Sequence, residues 1–106
     1  MTVMEKSMAT DPITHLRRST YADYITLVES GRLNLTDEDT FHRLLQHAHS
    51  SGICSVVNIQ SVSTPTSSRA TIYRWLRAEN APPVHARENI IHHTVKIARA
   101  KLAQLA

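Results

Sequence analysis

Three arginines, three hydroxyl residues and one phenol fall within a single short stretch: Ser67, Ser68, Arg69, Thr71, Tyr73, Arg74 and Arg77. A guanidinium presents a planar fork of N–H donors that binds a phosphate, or the O6/N7 edge of guanine, at two points at once. Hydroxyls bond phosphate oxygens, and an aromatic ring can lie against a thymine methyl. The chemistry this set offers is contact recognition of a polyanion.

Other constellations are set aside on spacing. His42, His47, His49 and Cys54 bring nitrogen and sulfur ligands together, and His85, His92 and His93 form a second group. Neither contains a paired Cys-x-x-Cys with histidines at zinc-ligand spacing, and adjacent His92 and His93 diverge on a helix, so no metal is expected. These histidines are expected at the surface, with His85 or His92 available to a phosphate. Serines and histidines are plentiful, but no glycine-bearing nucleophile elbow accompanies them, and the two glycines of the chain do not make a phosphate-cradling loop. The consecutive Asp37, Glu38 and Asp39 suit the start of a helix better than acid–base work. No catalytic residue, cofactor or enzymatic activity is expected.

The elements that must position the basic stretch are helices. Residues 1–11 lack apolar periodicity and read as a flexible N-terminal arm, followed by one helical domain over 12–106. Asp11 and Pro12 open a first helix, whose stripe runs from Ile13 and Leu16 through Tyr21, Tyr24, Ile25 and Val28, with a possible break at Ser19-Thr20 and a stop at Gly31. Thr36 offers a hydroxyl cap to a second helix, in which Phe41, Leu44, Leu45 and Ala48 face inward and Arg43, Gln46 and His47 face out until Ser50-Ser51-Gly52. Residues 53–63 are rich in β-branched side chains and suit a strand by propensity. They also carry a helical stripe, and no second strand exists to pair with them, so a helix is expected. Ser67 or Ser68 caps the next helix, expected over about 67–79, with Ile72, Trp75 and Leu76 on its anchoring face. Pro82 and Pro83 end it, and a last helix begins between Val84 and Ala86. The broad apolar arc of that helix, Ile90, Ile91, Val95, Ile97, Ala98, Leu102 and Leu105, fits either a wide core face or a core edge joined to a second subunit. The fold class is all-α, a compact bundle of about five helices.

Charge is placed unevenly. The net formal charge is +3, yet residues 1–59 hold five basic against seven acidic residues, while residues 60–106 hold seven against two. One end of the domain therefore suits a polyanionic partner. No apolar run is long enough to span a bilayer, and residues 1–11 are too polar for the core of a signal peptide, so a cytoplasmic protein without a membrane partner is expected. Cys54, the lone cysteine, reads as a small buried hydrophobe.

Ser68-Arg-Ala-Thr-Ile-Tyr-Arg-Trp-Leu-Arg77, followed by Glu79-Asn80-Ala81-Pro82 and an amphipathic helix, resembles the recognition helix and downstream turn of the Cro/CI-type helix-turn-helix family of bacterial and phage regulators. The resemblance spans about Phe41 to Ala98. It implies a helix-turn-helix in which 53–62 crosses the DNA backbone, Ser68, Arg69, Tyr73 and Arg74 face bases, and Ile72 and Trp75 pack. The family's first helix normally carries a small residue, often alanine, at its close-packing point and a glycine in a tight turn; the connection over 61–67 offers neither, so a longer or differently built turn is expected. The function expected is that of a small sequence-specific transcriptional regulator, such as a repressor. Its expected partner is double-stranded DNA, bound by a homodimer formed through the C-terminal helix. The alternative is an adaptor or antiactivator that uses a similar fold to grip a protein partner.

Overall fold

Short-range capping signals divide the chain into helices, and the computed structural model describes residues 21–62 and 68–105. The helices are α1 (Tyr21–Glu29), α2 (Glu38–Ser50), α3 (Val56–Val62), α4 (Arg69–Leu76) and α5 (Val84–Leu105). No strand occurs among the described residues, and the all-α expectation holds. The N-terminal arm, the Asp11-Pro12 start, Ile13, Leu16, the break at Ser19-Thr20, and the turn at 63–67 with Ser67 all lie outside the described residues.

The start of α2 corrects one expectation. Asp37, not Thr36, is the N-cap: its carboxylate accepts the Thr40 amide at 2.9 Å and the Thr40 hydroxyl at 3.1 Å. The Thr36 hydroxyl donates instead to Asn34 Oδ1 at 2.6 Å. A carboxylate satisfies an orphan amide and also meets the positive end of the helix dipole, which a hydroxyl does only in part. At the far end, Gly52 (φ +86°) takes a left-handed turn open to glycine at little cost, as Gly31 (φ +77°) does after α1.

The β-branched run is helical, but later than expected. Ser55 and Asn58 cap one another: the Asn58 amide donates to Ser55 Oγ (3.2 Å) and the Ser55 amide to Asn58 Oδ1 (3.0 Å). Ile53 and Cys54 therefore precede α3 rather than belong to it, and both are buried. Burial pushes the Cys54 thiol up to about 12, so it behaves as an apolar side chain.

α5 is the central post, packed against α1, α2 and α3. Ile90, Ile91, Val95 and Ala98 of its arc are buried, and Ile97 and Leu102 pack against the core. Tyr24 of α1 reaches Thr94 of α5 at 2.7 Å, both fully buried. The Thr94 hydroxyl donates its one proton to Ile91 O, so the Tyr24 phenol must be the donor to Thr94. Burial raises the Tyr24 pKa, which keeps that proton in place. Arg87 pins the beginning of α5, donating to Pro82 O (3.0 Å) and across the fold to Thr36 O (2.7 Å).

Three histidines expected at the surface are not fully exposed: His42, His47 and, on α5, the half-buried His93. His42 is buried, 6% exposed, and His47 is half-buried, stacked on Tyr24 with ring centroids 5.7 Å apart. His42 and His47 sit at borders of the α2 apolar arc, where neighbouring helices decide exposure. Arg43, also expected outward, is half-buried, whereas Gln46 is exposed.

Candidate nucleic-acid interface

Ser68 begins α4. Its hydroxyl accepts the Thr71 amide at 3.2 Å and lies 3.0 Å from Thr71 Oγ1, so these two hydroxyls are first of all a cap. Ile72 is fully buried and Trp75 is 5% exposed, its ring edge-on to Phe41 of α2 at 6.2 Å. Leu76 completes the anchor as a partly buried neighbour of the core. With that face held by α2 and α3, the opposite face is open: Arg69, Tyr73 and Arg74 are exposed. Arg69, Tyr73 and Arg77 follow one another at four-residue spacing, a row about 12 Å long at about 1.5 Å per residue. A major groove is about 12 Å wide.

The C-terminal end differs from expectation. α4 stops at Leu76, three residues short of the expected 79, and Arg77 is its C-cap. The Ala78 amide donates to Trp75 O (3.0 Å) and the Glu79 amide to Arg74 O (2.9 Å), with Ala78 in the left-handed region at φ +59°. This is the Schellman bond pattern, which consumes the orphan carbonyls of the last turn. It was hidden in the sequence because alanine stands where glycine usually marks the turn. The turn brings Glu79 back to Arg77, whose Nε donates to Glu79 Oε2 at 2.5 Å.

Two side chains of α2 secure the same end. His42 Nδ1 lies 2.9 Å from Trp75 O, and Gln46 Nε2 donates to Leu76 O at 2.8 Å. A carbonyl only accepts, so the His42 proton resides on Nδ1. Its Nε2 is buried without a hydrogen-bond partner, 3.7 Å from a Glu38 carboxylate oxygen. Spacing within α4 could not reveal His42 and Gln46; their i,i+4 relation beside the α2 stripe was the available signal.

The structure thus brings Arg69, Tyr73, Arg74 and Arg77 onto one open side of α4 and gives Ser68 and Thr71 to its cap. His92 stands 3.6 Å from Glu88, a carboxylate neighbour that disfavours an approaching phosphate. Among the described residues, no three or more His, Cys, Asp or Glu side chains gather to hold a metal. A shallow cleft of about 410 Å³, lined by residues of α1, the α1–α2 connection and α5, includes His92 beside Glu88 but none of the candidate residues of α4. No described helix is long and apolar enough to cross a membrane. Compared with family models, curated proteins and solved structures, the chain has no match.

Proposed function

We propose that this chain is a small sequence-specific DNA-binding transcriptional regulator, with α3 and α4 acting as a helix-turn-helix and α4 entering the major groove. The observation that carries this reading is the division of α4. Ile72 and Trp75 are buried, while Arg69, Tyr73 and Arg74 stand open beside the C-cap Arg77. Three guanidiniums and a phenol on one rigidly capped helix are the donors and the apolar surface that phosphates and base edges require. One such helix covers only a few base pairs, so a homodimer on paired half-sites is part of the proposal. The distal part of α5, where Ile97 and Leu102 are only partly buried, is the proposed dimer element.

The test is a mobility-shift titration with Arg69→Ala, Arg74→Ala and Arg77→Ala. The first two should each weaken binding about tenfold or more, with melting temperatures unchanged. Unchanged affinity in all three would reject the reading.

A second reading rests on a different observation. Val57 on α3 and Tyr73 on α4 are large apolar side chains left 53% and 45% exposed. An adaptor or antiactivator would use them to grip a protein partner. Salt-insensitive capture of a partner, lost in Val57→Asp, would favour it over DNA.

A further inference from the structure

Glu79 stands where a carboxylate is unwelcome on electrostatic grounds: the C-terminal end of α4 is the negative end of its dipole. Folding does not require that side chain. The Schellman turn is closed by the Glu79 amide, which any residue except proline supplies, and the side chain is about half exposed. What the carboxylate does is hold Arg77, accepting from Nε at 2.5 Å. That bond uses one corner of the guanidinium and leaves Nη1 and Nη2, the parallel pair suited to bidentate contact, without a partner among the described residues. The hydrogen bond from Arg77, with the charges of Arg77 and Arg74 behind it, also keeps Glu79 below the ordinary carboxylate range, so it remains ionised at neutral pH.

The pair carries no net charge. A phosphate gains little from a neutralised arginine and is repelled by the adjacent carboxylate, whereas a guanine edge is neutral and needs chiefly correct geometry. We propose that Glu79 is a positioning residue that buttresses Arg77, so that its Nη pair reads the O6/N7 edge of one guanine at the flank of the bound site. This rests on the DNA reading above. Arg69 and Arg74 are then the phosphate contacts, and Arg77 carries specificity.

The experiment is selection of bound duplexes from a random pool with the unsubstituted protein, Arg77→Ala, Glu79→Ala, Glu79→Gln and the Arg77→Ala/Glu79→Ala double variant, at two salt concentrations. Arg77→Ala and Glu79→Ala should each reduce preference at the same single G·C pair about tenfold and leave preferences elsewhere intact. Glu79→Gln, whose amide oxygen still accepts from Nε, should retain most of it. Glu79→Ala should add nothing once Arg77 is gone. Thermal melting of each variant confirms that the exposed substitutions leave the fold unchanged.

Two outcomes would overturn the proposal while leaving DNA binding standing. In one, Glu79→Ala keeps full preference and binds every sequence more tightly, so that Glu79 only offsets charge. In the other, Arg77→Ala weakens all sequences alike and lowers the salt slope by about one per bound subunit, the signature of a phosphate contact. No binding by the unsubstituted protein would instead reject the DNA reading itself, and this proposal with it.

Discussion

At the residue scale, Ala78 is the most informative position. Its φ of +59° places a β-carbon against the following carbonyl, a strain of about 1–2 kcal/mol that glycine does not carry. Ala78→Gly should therefore raise stability by about 1 kcal/mol, read as an increase in melting temperature, provided the turn stays as it is. A decrease would mean that the added freedom of the unfolded chain outweighs the relieved strain. His47 provides a second test. Burial lowers its pKa from 6.5, so the unfolded chain binds a proton more readily than the folded one. Its contribution to stability is present above pH 6.5 and is lost as pH falls through the lowered folded-state value. Between about pH 7.5 and 5.5, the melting temperature should fall more for the unsubstituted protein than for His47→Gln.

At the element scale, α4 has only eight residues, too few to be stable alone, and its order comes from what holds it. Ser68 caps one end, Trp75 seats the middle against Phe41, and Trp75 O and Leu76 O receive His42 and Gln46 from α2. The two α2 side chains therefore fix where the open face of α4 points, although neither belongs to that face. Gln46→Ala removes a hydrogen bond worth about 1 kcal/mol, so amides in the last turn of α4 should exchange roughly fivefold faster while those of α5 are unchanged. Equal acceleration throughout would show a global loss of stability instead. For His42 a larger effect is expected, because its replacement also opens a cavity beside Phe41 and Trp75.

At the scale of the whole molecule, charge counted along the chain overstates the free cation available. Much of the excess beyond residue 60 lies on α5, where Arg87 holds two carbonyls, Arg99 pairs with Glu29, and Lys101 donates to Gly52 O at 2.6 Å. These cations tie α5 to the rest of the fold. The cations left for a polyanion are chiefly those of α4, and Arg77 is neutralised by Glu79. On the proposed DNA reading, two phosphate contacts per subunit predict a slope of log K against log salt of about −2 for one subunit and about −4 for a dimer on paired half-sites. Binding titrations at several salt concentrations would check this; a slope unchanged by Arg69→Ala and Arg74→Ala would contradict it.

Helix identity and the faces of α2, α4 and α5 were legible from the amino-acid sequence because capping, periodicity and breaker residues act within a few positions. The two faces of α4 followed from the spacing of Ile72, Trp75 and Leu76 against Arg69, Tyr73 and Arg74. Three local details escaped because two local solutions competed: Asp37 over Thr36 as cap, Ser55 as the start of α3, and an alanine in place of glycine after Arg77. Only the tertiary structure decided that His42 is buried beneath Trp75 O, that Arg87 crosses to Thr36 O, and that most of the α5 arc is used by its own core. Those outcomes depend on residues 33 and 51 positions away in the chain. No window of sequence contains both partners, so their energies enter only when packing brings them together.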